Sequence, residues 1–366
     1  MNVHTVTVAL GQRSYPVWVG PGLLADHARW RAMLRGRHVL VVSNTTVAPL
    51  YLPRVSAGLD GMHWSSHVLD DGEAHKTLAN VDGVLGALAT LGATRDACVL
   101  ALGGGVVGDL AGFSAACWMR GIDFVQMPTT LLAMVDASVG GKTGVNLPAG
   151  KNLVGAFHQP RAVVADIGTL ESLPEREYRA GLAEVVKAAC IGDRAFFTWL
   201  EDHVDAIVAR DRHALLEMIS RAIRFKADVV QRDEAEHGVR ALLNFGHTFA
   251  HALEAISGYR LLLHGEAVAI GMVLAAHLSE HLGMSAPVAR HRLARLLQKF
   301  SLPVTMPPGV EPMALLELMR LDKKNTADAL RMILWRGIGR VEIVDTVGEA
   351  VVLGTLEHAG QQVGGN

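Results

Sequence analysis

The sequence predicts a Rossmann-like α/β domain followed by a mainly α-helical domain. Over the first 172 residues, short apolar runs rich in β-branched residues alternate with segments of helical spacing, the pattern of a parallel sheet with crossover helices. One apolar run leads directly into a glycine-rich turn that opens a helix. Beyond this half the pattern is almost entirely helical to about residue 320. We therefore predict two domains, residues 1–172 and 173–366.

The strands of the predicted sheet come from the first half of the chain. Period-two alternation around Gly11 predicts an N-terminal hairpin, and later apolar runs end in polar residues that can face a ligand. The predicted strands cover residues 3–10, 15–19, 38–44, 98–102 and 123–130, with a last one at VVAD. Ala- and Leu-rich sequence at 78–91 predicts the helix before the fourth strand.

Strand-like alternation returns near the C-terminus. The stretch LRMILWRGIGRVEIVDTV alternates around Gly337 and Gly339, which predicts a hairpin within the otherwise helical second domain. The helical half itself opens after Pro174, with Glu175 and Glu177 in the first turn, where their charges suit a helix N-terminus.

Composition favours a globular protein that acts on small molecules. Half of the 366 residues are apolar, the formal charge is -2, and the basic residues are scattered, which argues against nucleic acid or an anionic membrane as partner. Charges, glycines and prolines interrupt the apolar stretches, so we expect neither a signal peptide nor a membrane helix. Cys98, Cys117 and Cys190 are isolated in apolar segments, which predicts reduced thiols and a cytoplasmic protein.

A glycine-rich turn follows the strand predicted at 98–102. In GGGVVGD, Gly103, Gly105 and Gly108 satisfy the G-x-G-x-x-G spacing between a strand and a helix. Glycine at these places lets backbone amides approach a pyrophosphate at the helix N-terminus. A tight turn without a ligand explains the glycines equally well, so on this motif alone both interpretations stay open.

A second glycine-rich stretch, residues 137–160, contains Lys142, Lys151 and Asn152. Its GGKTG resembles a P-loop, but no glycine stands five positions before Gly141, so the phosphate-loop spacing is missing. Ammonium groups on a flexible backbone still suit a phosphorylated substrate. The alternative is two solvated surface lysines.

Metal-ligating residue types concentrate in the helical half. His247 and His251 are four residues apart and share a helix face, with Glu254 nearby, so spacing alone suggests a metal site there. The HExxH pattern is absent because Thr248 stands where the glutamate would be. A helical histidine pair of this kind also occurs in cores and at caps.

Two further features of the helical half have a structural alternative. Glu184 and Lys187 are three apart, which fits a metal ligand with a neighbouring cation or a simple intrahelical ion pair. His264 stands at a predicted helix start, where it is either a ligand or a cap. The number of such groups within apolar helices favours the functional interpretation.

Cationic side chains are frequent around these motifs. If they converge with the metal, the pocket suits a substrate with both phosphate and carboxylate. The residues concerned are Arg120, Lys142, Lys151, Lys187, Lys226 and Arg240, with Lys323 and Lys324 in a DKKN stretch that is also typical of a solvated turn.

Together these motifs resemble the 3-dehydroquinate synthase family of the sugar phosphate cyclase superfamily. The resemblance covers most of residues 39–275. It rests on DDGEAHK, LGGGVVGDLAGF, RGIDFVQMPTTLLAMVDASVGGKTGVN, KNLVGAFHQP, AGLAEVVK, DEAEHGVRALLNFGHTFAHALE and HGEAVAIGM.

The resemblance implies an NAD-binding α/β domain, a mainly helical metal-binding domain, an active site in the cleft between them and a homodimer. It implies that Glu184, His247 and His264 bind zinc or cobalt, which moves His251 from ligand to proton network. The implied NAD contacts are Asn44, Asp71, Gly72, Glu73, Lys76, Gly104, Gly105, Val106, Gly108, Asp109, Thr129, Thr130, Lys142, Lys151, Thr169 and Leu170. The implied catalytic and substrate residues are Asp136, Lys142, Asn152, Lys187, Lys226, Arg240, Asn244, His251 and Lys324 or Lys323, with Arg120 offered across the dimer interface.

The implied reaction converts 3-deoxy-D-arabino-heptulosonate 7-phosphate to 3-dehydroquinate and phosphate. NAD is recycled through oxidation, β-elimination, re-reduction, ring opening and aldol closure. Another sugar phosphate cyclase, which makes a cyclitol from a substrate without a carboxylate, is the nearest competing function. Such a substrate would leave the cations Lys226 and Arg240 and the amide of Asn244 partly unpaired. A metal-dependent polyol dehydrogenase and a nucleotide-binding regulator without turnover are two more distant possibilities.

Overall fold

The computed structural model describes residues 2–258, 261–320 and 329–361. The chain forms two compact units. The first comprises Met1–Pro174 and Arg212–Ala235, and the second comprises Glu175–Asp211 and Glu236–Asn366. The sequence predicts a single change of domain near residue 172, whereas the structure returns the segment Arg212–Ala235 to the first unit.

The strands expected from the sequence lie near their predicted positions, and three further strands, at His63–Leu69, Lys142–Leu147 and Gly150–Phe157, were not predicted. In chain order they are β1 (His4–Val8), β2 (Tyr15–Gly20), β3 (His38–Asn44), β4 (His63–Leu69), β5 (Cys98–Gly103), β6 (Asp123–Pro128), β7 (Lys142–Leu147), β8 (Gly150–Phe157), β9 (Ala162–Asp166), β10 (Ala329–Gly337) and β11 (Arg340–Gly348). The predicted C-terminal hairpin is confirmed, because β10 and β11 pair antiparallel.

The helices are numbered in chain order as well. They are α1 (His27–Arg31), α2 (Ala48–Ser56), α3 (Leu78–Thr90), α4 (Gly105–Cys117), α5 (Glu175–Gly192), α6 (Arg194–Asp202), α7 (Val204–Val208), α8 (Arg212–Arg232), α9 (His247–Ile256), α10 (His264–His281), α11 (Pro287–Lys299), α12 (Pro312–Arg320) and α13 (Glu349–Gln361). Among the residues that the structure describes, no helix has the length and apolarity needed to cross a membrane.

The first unit is built on a seven-stranded sheet in the order β1-β2-β9-β6-β5-β3-β4, in which only the β1–β2 pair is antiparallel. Alternate residues of each central strand enter different cores: Leu40 and Val42 pack on one face of the sheet, and Val39 and Val41 on the other. Burial on both faces explains why these strands appear in the sequence as continuous apolar runs. The predicted Rossmann-like α/β domain is confirmed.

The strand order reverses between β3 and β5. From β3 the chain crosses through α2 to β4 at one side, and from β5 it crosses through α4 to β6 at the other. The carboxyl ends of β3 and β5 therefore border a crevice at a topological switch point, where open parallel sheets bind their ligands.

Helix α8 belongs with this sheet. His4 Nδ1 lies 2.9 Å from Ser220 Oγ, and Lys226 Nζ lies 2.7 Å from Asp136 Oδ1. The apolar face of α8 is long enough to cover the sheet, but helical periodicity does not say which core receives that face. Periodicity therefore provides no reason to separate α8 from its helical neighbours in the sequence.

Two glycines on α10 set how closely the helices of the second unit approach. A Cβ added at Gly265 would lie 1.9 Å from Ala180 O on α5, and one added at Gly271 would lie 2.2 Å from Gly246 O, just before α9. Both contacts are with backbone, which cannot rotate aside as a side chain can. Glycine at these positions thus holds α5, α9 and α10 together.

We expect Gly271→Ala to lower the free energy of unfolding by about 1–3 kcal/mol, because the methyl group must force α10 away from Gly246. Gly354→Ala is the matched control. This glycine lies inside α13 with nothing within 4 Å of the added Cβ, so helix propensity predicts a gain of roughly 0.5–1 kcal/mol. Denaturant unfolding of both variants makes the comparison, and equal stability of Gly271→Ala and the parent would contradict the close-approach argument.

Candidate metal centre and cofactor site

Three residues of the second unit form a cluster suited to a metal ion. Glu184 lies on α5, His247 is the first residue of α9 and His264 is the first residue of α10. Each offers one ligand atom, and these atoms all lie within 4.8 Å of one another. Three helices that the glycine contacts hold together therefore bring the predicted ligands to one point.

The distances suit a small divalent ion. Glu184 Oε1 lies 3.7 Å from His247 Nε2 and 3.6 Å from His264 Nε2. Bonds of about 2.0–2.1 Å to a tetrahedral zinc ion place neighbouring ligand atoms roughly 3.3 Å apart. One carboxylate and two imidazoles leave a coordination position for substrate oxygens, as catalytic sites require. The donor set thus fits zinc or cobalt.

The outer nitrogen of each histidine also has an acceptor. His264 Nδ1 lies 3.4 Å from Glu254 Oε2, and His247 Nδ1 lies 3.3 Å from Phe245 O. Lys187 Nζ contacts the second carboxylate oxygen, Oε2, of Glu184. The intrahelical ion pair and the ligand cluster therefore coexist, and Oε1 is the oxygen that faces the histidines.

The pKa values of the two histidines shift in opposite directions. Burial lowers the pKa of His247 well below its usual value, and the Lys187 ammonium lowers it further. Burial also acts to lower the pKa of His264, but the carboxylates of Glu184 and Glu254 outweigh it and raise that pKa to about 9. Near neutral pH the metal-free cluster therefore holds its proton on His264.

His251 lies outside this cluster. Its ring meets that of His247 edge to face, with centroids 5.4 Å apart, and its side chain is exposed. Glu254, the other residue that spacing suggested, contacts the outer nitrogen of His264. The four-residue spacing identified a shared helix face, but the other two ligands come from other helices.

The remaining candidate residues of the second unit lie on the segment before α9. Arg240 and Asn244 belong to the 3₁₀ helix Val239–Asn244, and the Arg240 side chain is almost fully buried. Asn244 Nδ2 donates to Glu236 Oε1 at 2.9 Å. Glu236 was missed at the sequence level, where its only signal is its place in an acidic turn. Lys323 and Lys324 lie outside the described residues.

The residues predicted to contact the cofactor gather at one edge of the sheet. Each follows the carboxyl end of a parallel strand: Asn44 ends β3, the Asp71 to Lys76 stretch follows β4, Gly104 to Asp109 follow β5, Thr129 and Thr130 follow β6, and Thr169 and Leu170 follow β9. Asn44 and Gly104 border the switch point between β3 and β5.

Hydrogen bonds join these strand ends. Asn44 Nδ2 donates to Asp71 Oδ1 at 2.6 Å. The nearly buried Lys76 ammonium donates to Asp109 Oδ2 and Asn152 Oδ1, both at 2.6 Å. Burial raises the pKa of Asp109, and Lys76 opposes that rise. Polar side chains therefore hydrogen-bond to one another along this edge of the sheet.

Two observations fit a dinucleotide at this edge. Gly108 is required by packing, because an added Cβ would lie 2.6 Å from Gln126 Oε1. At Gly105 the nearest atom to an added Cβ would be 3.4 Å away, which is an ordinary contact, so packing does not require this glycine. Its missing side chain instead leaves room for a ligand at the N-terminus of α4. The Thr129 hydroxyl is buried without a hydrogen-bond partner among the described residues, as a group that a ligand completes would be.

Other predicted residues of the first unit lie on β7, β8 and α8. Lys142 opens β7, while Lys151 and Asn152 lie in β8. Lys226 Nζ also reaches the backbone carbonyl of Asp136, at 2.5 Å. Asn146 was missed: its side chain donates to Glu73 Oε1 at 2.7 Å and accepts the Asn152 amide at 2.8 Å.

Comparison with known proteins identifies the family of this chain. The family model described as 3-dehydroquinate synthase N-terminal matches residues 66–180, and the model described as 3-dehydroquinate synthase C-terminal matches residues 181–325. A 3-dehydroquinate synthase of Xanthomonas campestris is 57% identical over 355 residues, which cover 94% of this chain and 96% of the relative. The chain belongs to the 3-dehydroquinate synthase family.

Solved structures place the family within a wider group of cyclases. The 2-epi-5-epi-valiolone synthase of Streptomyces hygroscopicus, with NAD+ and Zn2+ bound, aligns with a TM-score of 0.87 and 34% identity, over 97% of this chain and 99% of its own. A 2-deoxy-scyllo-inosose synthase with carbaglucose-6-phosphate, NAD+ and Co2+ aligns with a TM-score of 0.89 and 27% identity, over 97% and 100%.

We expect zinc binding to the metal-free protein to release about one proton near neutral pH, because the metal must displace the proton on His264. That proton stabilises the metal-free fold fully below the ordinary pKa of 6.5, and its contribution is lost as pH rises through about 9. Apparent zinc affinity should thus rise about tenfold per pH unit between the ordinary pKa of 6.5 and the raised pKa of about 9, and it should level off at higher pH.

Calorimetry in buffers of different ionisation enthalpy counts the released protons. The lowered pKa of His247 means that it contributes none at neutral pH. Release of no proton, or of two, would contradict the assignment of the two protonation states.

Proposed function

We propose that this protein is a 3-dehydroquinate synthase, which converts 3-deoxy-D-arabino-heptulosonate 7-phosphate to 3-dehydroquinate and phosphate with NAD and zinc or cobalt. The observation that carries the proposal is the cluster of Glu184, His247 and His264 in a chain of this family. Solved relatives bind NAD+ together with Zn2+ or Co2+, which supports the same cofactors here.

When bound, the cofactors supply a recycled hydride acceptor and a Lewis acid at the carbinol to be oxidised. Two sets of residues would hold them. Glu184, His247 and His264 would bind the metal. The strand ends from Asn44 to Leu170 would hold NAD, and the N-terminus of α4 offers backbone amides suited to its pyrophosphate.

Lysine and arginine side chains bind the anionic groups of the substrate. Arg240 offers the planar fork that matches a carboxylate, and Asn244, held by Glu236, offers an amide beside it. Lys226 is fixed by both the carbonyl and the carboxylate of Asp136, which orients its ammonium. Lys142, Lys151 and Lys324 complete the proposed cationic set, and Asn152 adds a neutral amide.

The proton steps fall to groups with a mobile proton. His251 is exposed beside His247, and its imidazole is a group that can donate or accept a proton. The departing phosphate can itself accept the proton removed in the β-elimination, so the main task of the cations is to hold its growing charge. Lys187, bound to Glu184, keeps Oε1 of that carboxylate turned to the histidines.

The substrate carboxylate separates this function from its nearest alternatives. A cyclase that makes a cyclitol from a carboxylate-free sugar would bring no substrate carboxylate for the planar Arg240 guanidinium to bind. A polyol dehydrogenase would let NADH accumulate, whereas the proposed cycle returns the hydride. The presence of the complete metal cluster argues against a regulator without turnover.

We expect the purified protein to release phosphate from the heptulosonate phosphate when NAD+ and zinc are present, without NADH build-up and with complete loss after chelation. Phosphate release and nicotinamide absorbance are followed in one cuvette. Release from glucose 6-phosphate instead, or NADH rising in step with turnover, would favour the cyclitol synthase or the dehydrogenase respectively.

Arg240→Lys tests the carboxylate anchor within the same assay. Loss of a charge-assisted fork costs about 1.5–3 kcal/mol, so kcat/KM should fall roughly 10- to 150-fold. Arg292→Lys is the control, since Arg292 binds Glu201 in the same unit. An equal effect of the two substitutions would contradict a role for Arg240 in substrate binding.

We further propose a cytoplasmic homodimer in which Arg120 reaches the partner's substrate phosphate. Arg120 is exposed on a turn where Met119 and Arg120 both have positive φ, 48° and 68°, a conformation that costs free energy and recurs at functional sites. Sedimentation velocity should give twice the 39.1 kDa chain mass. A monomer that is fully active would contradict the shared arginine.

A further inference from the structure

Glu254 is a buried carboxylate at the edge of the metal cluster. Its residue surface is only 2% exposed, and its Oε2 lies 3.4 Å from His264 Nδ1. Burial of an ionised carboxylate is costly unless charged or hydrogen-bonded neighbours compensate. A carboxylate kept inside the helical unit, directly behind a proposed ligand, therefore needs an explanation.

The helix geometry links Glu254 to both histidines. Glu254 follows His247 by seven residues, two turns of α9, so the two residues share one helix face. Helix α9 thus offers one ligand directly and contacts the second, His264 of α10, through Glu254. The close approach of Gly271 to Gly246 holds α9 and α10 at the separation that this contact needs.

We propose that Glu254 is a positioning residue for the metal site. It fixes the ring of His264 with Nδ1 toward α9 and Nε2 toward Glu184, and it adds a negative charge just outside the ligand set. The inference rests on the metal site of the proposed function and extends it to a residue that touches neither metal nor substrate.

Glu254 is not itself a ligand. Its carboxylate contacts Nδ1 of His264, whereas the nitrogen 3.6 Å from Glu184 is Nε2, on the other side of the ring. The two histidines also differ in their support. His247 Nδ1 faces the neutral carbonyl of Phe245, whereas His264 Nδ1 faces the carboxylate of Glu254. A carboxylate behind a histidine ligand raises the basicity of the ring and orients it.

The test measures zinc affinity of Glu254→Ala and Glu254→Gln by competition with a chelator above pH 9, where the proton on His264 no longer competes with the metal. Removal of such a partner typically costs 10- to 100-fold in metal affinity, so Glu254→Ala should weaken zinc binding by about that factor. The Gln side chain keeps an oxygen for Nδ1 but not the charge, so Glu254→Gln should lose less. Glu280→Gln, on α10 and bound to Arg290, is the control and should bind like the parent.

A double-mutant cycle with His264→Ala separates positioning from a general loss of structure. If Glu254 acts through His264, then Glu254→Ala adds almost nothing once His264 is gone, whereas independent effects multiply. The visible spectrum of the cobalt-substituted Glu254→Gln protein gives a second measurement, and we expect it to shift from the parent spectrum because His264 is held differently.

The outcomes separate the positioning role of Glu254 from the existence of the metal site. Thermal unfolding of the metal-free variants checks that they fold. If Glu254→Ala does not fold, Glu254→Gln provides the measurement. Parent-like zinc affinity in Glu254→Gln and Glu254→Ala, or multiplicative effects in the cycle, would overturn the positioning role while leaving the metal site in place. A parent protein that binds no zinc would overturn the metal site itself.

Discussion

The structure of the helical unit depends on one buried carboxylate. Glu184 lies within an apolar helix packing, where an isolated charge would cost several kcal/mol, and its two oxygens face Lys187 on one side and two histidines on the other. Such a carboxylate is stable only with cationic neighbours. The same requirement makes the cluster a strong site for a divalent ion, which replaces the proton on His264 with a larger charge.

The backbone is arranged so that these side chains meet. Gly265 and Gly271 let α10 approach its neighbours at distances that no side chain would allow. The two histidine ligands are the first residues of α9 and α10. In the first unit the equivalent constraint is the strand order. A reversal between β3 and β5 opens the sheet edge at which the glycine turn and the polar strand ends lie.

Strands and helices with a clear period could be predicted from the sequence, including the strand at residues 38–44 and the C-terminal hairpin. Three features could not. The return of α8 to the first unit depends on which core receives its apolar face, and helical periodicity does not identify that core. Spacing within α9 favoured His251, because local sequence contains no information about ligands from α5 and α10. Glu236 and Asn146 act through side-chain contacts that no spacing motif marks.

The central claim is that one metal ion binds Glu184, His247 and His264. Anomalous diffraction at the zinc edge, on crystals grown with zinc and NAD+, tests it most directly. The account predicts a single strong peak within about 2.0–2.2 Å of a Glu184 oxygen and of Nε2 of both histidines. A peak bonded to His251 or Glu254, or no peak at this cluster, would contradict it.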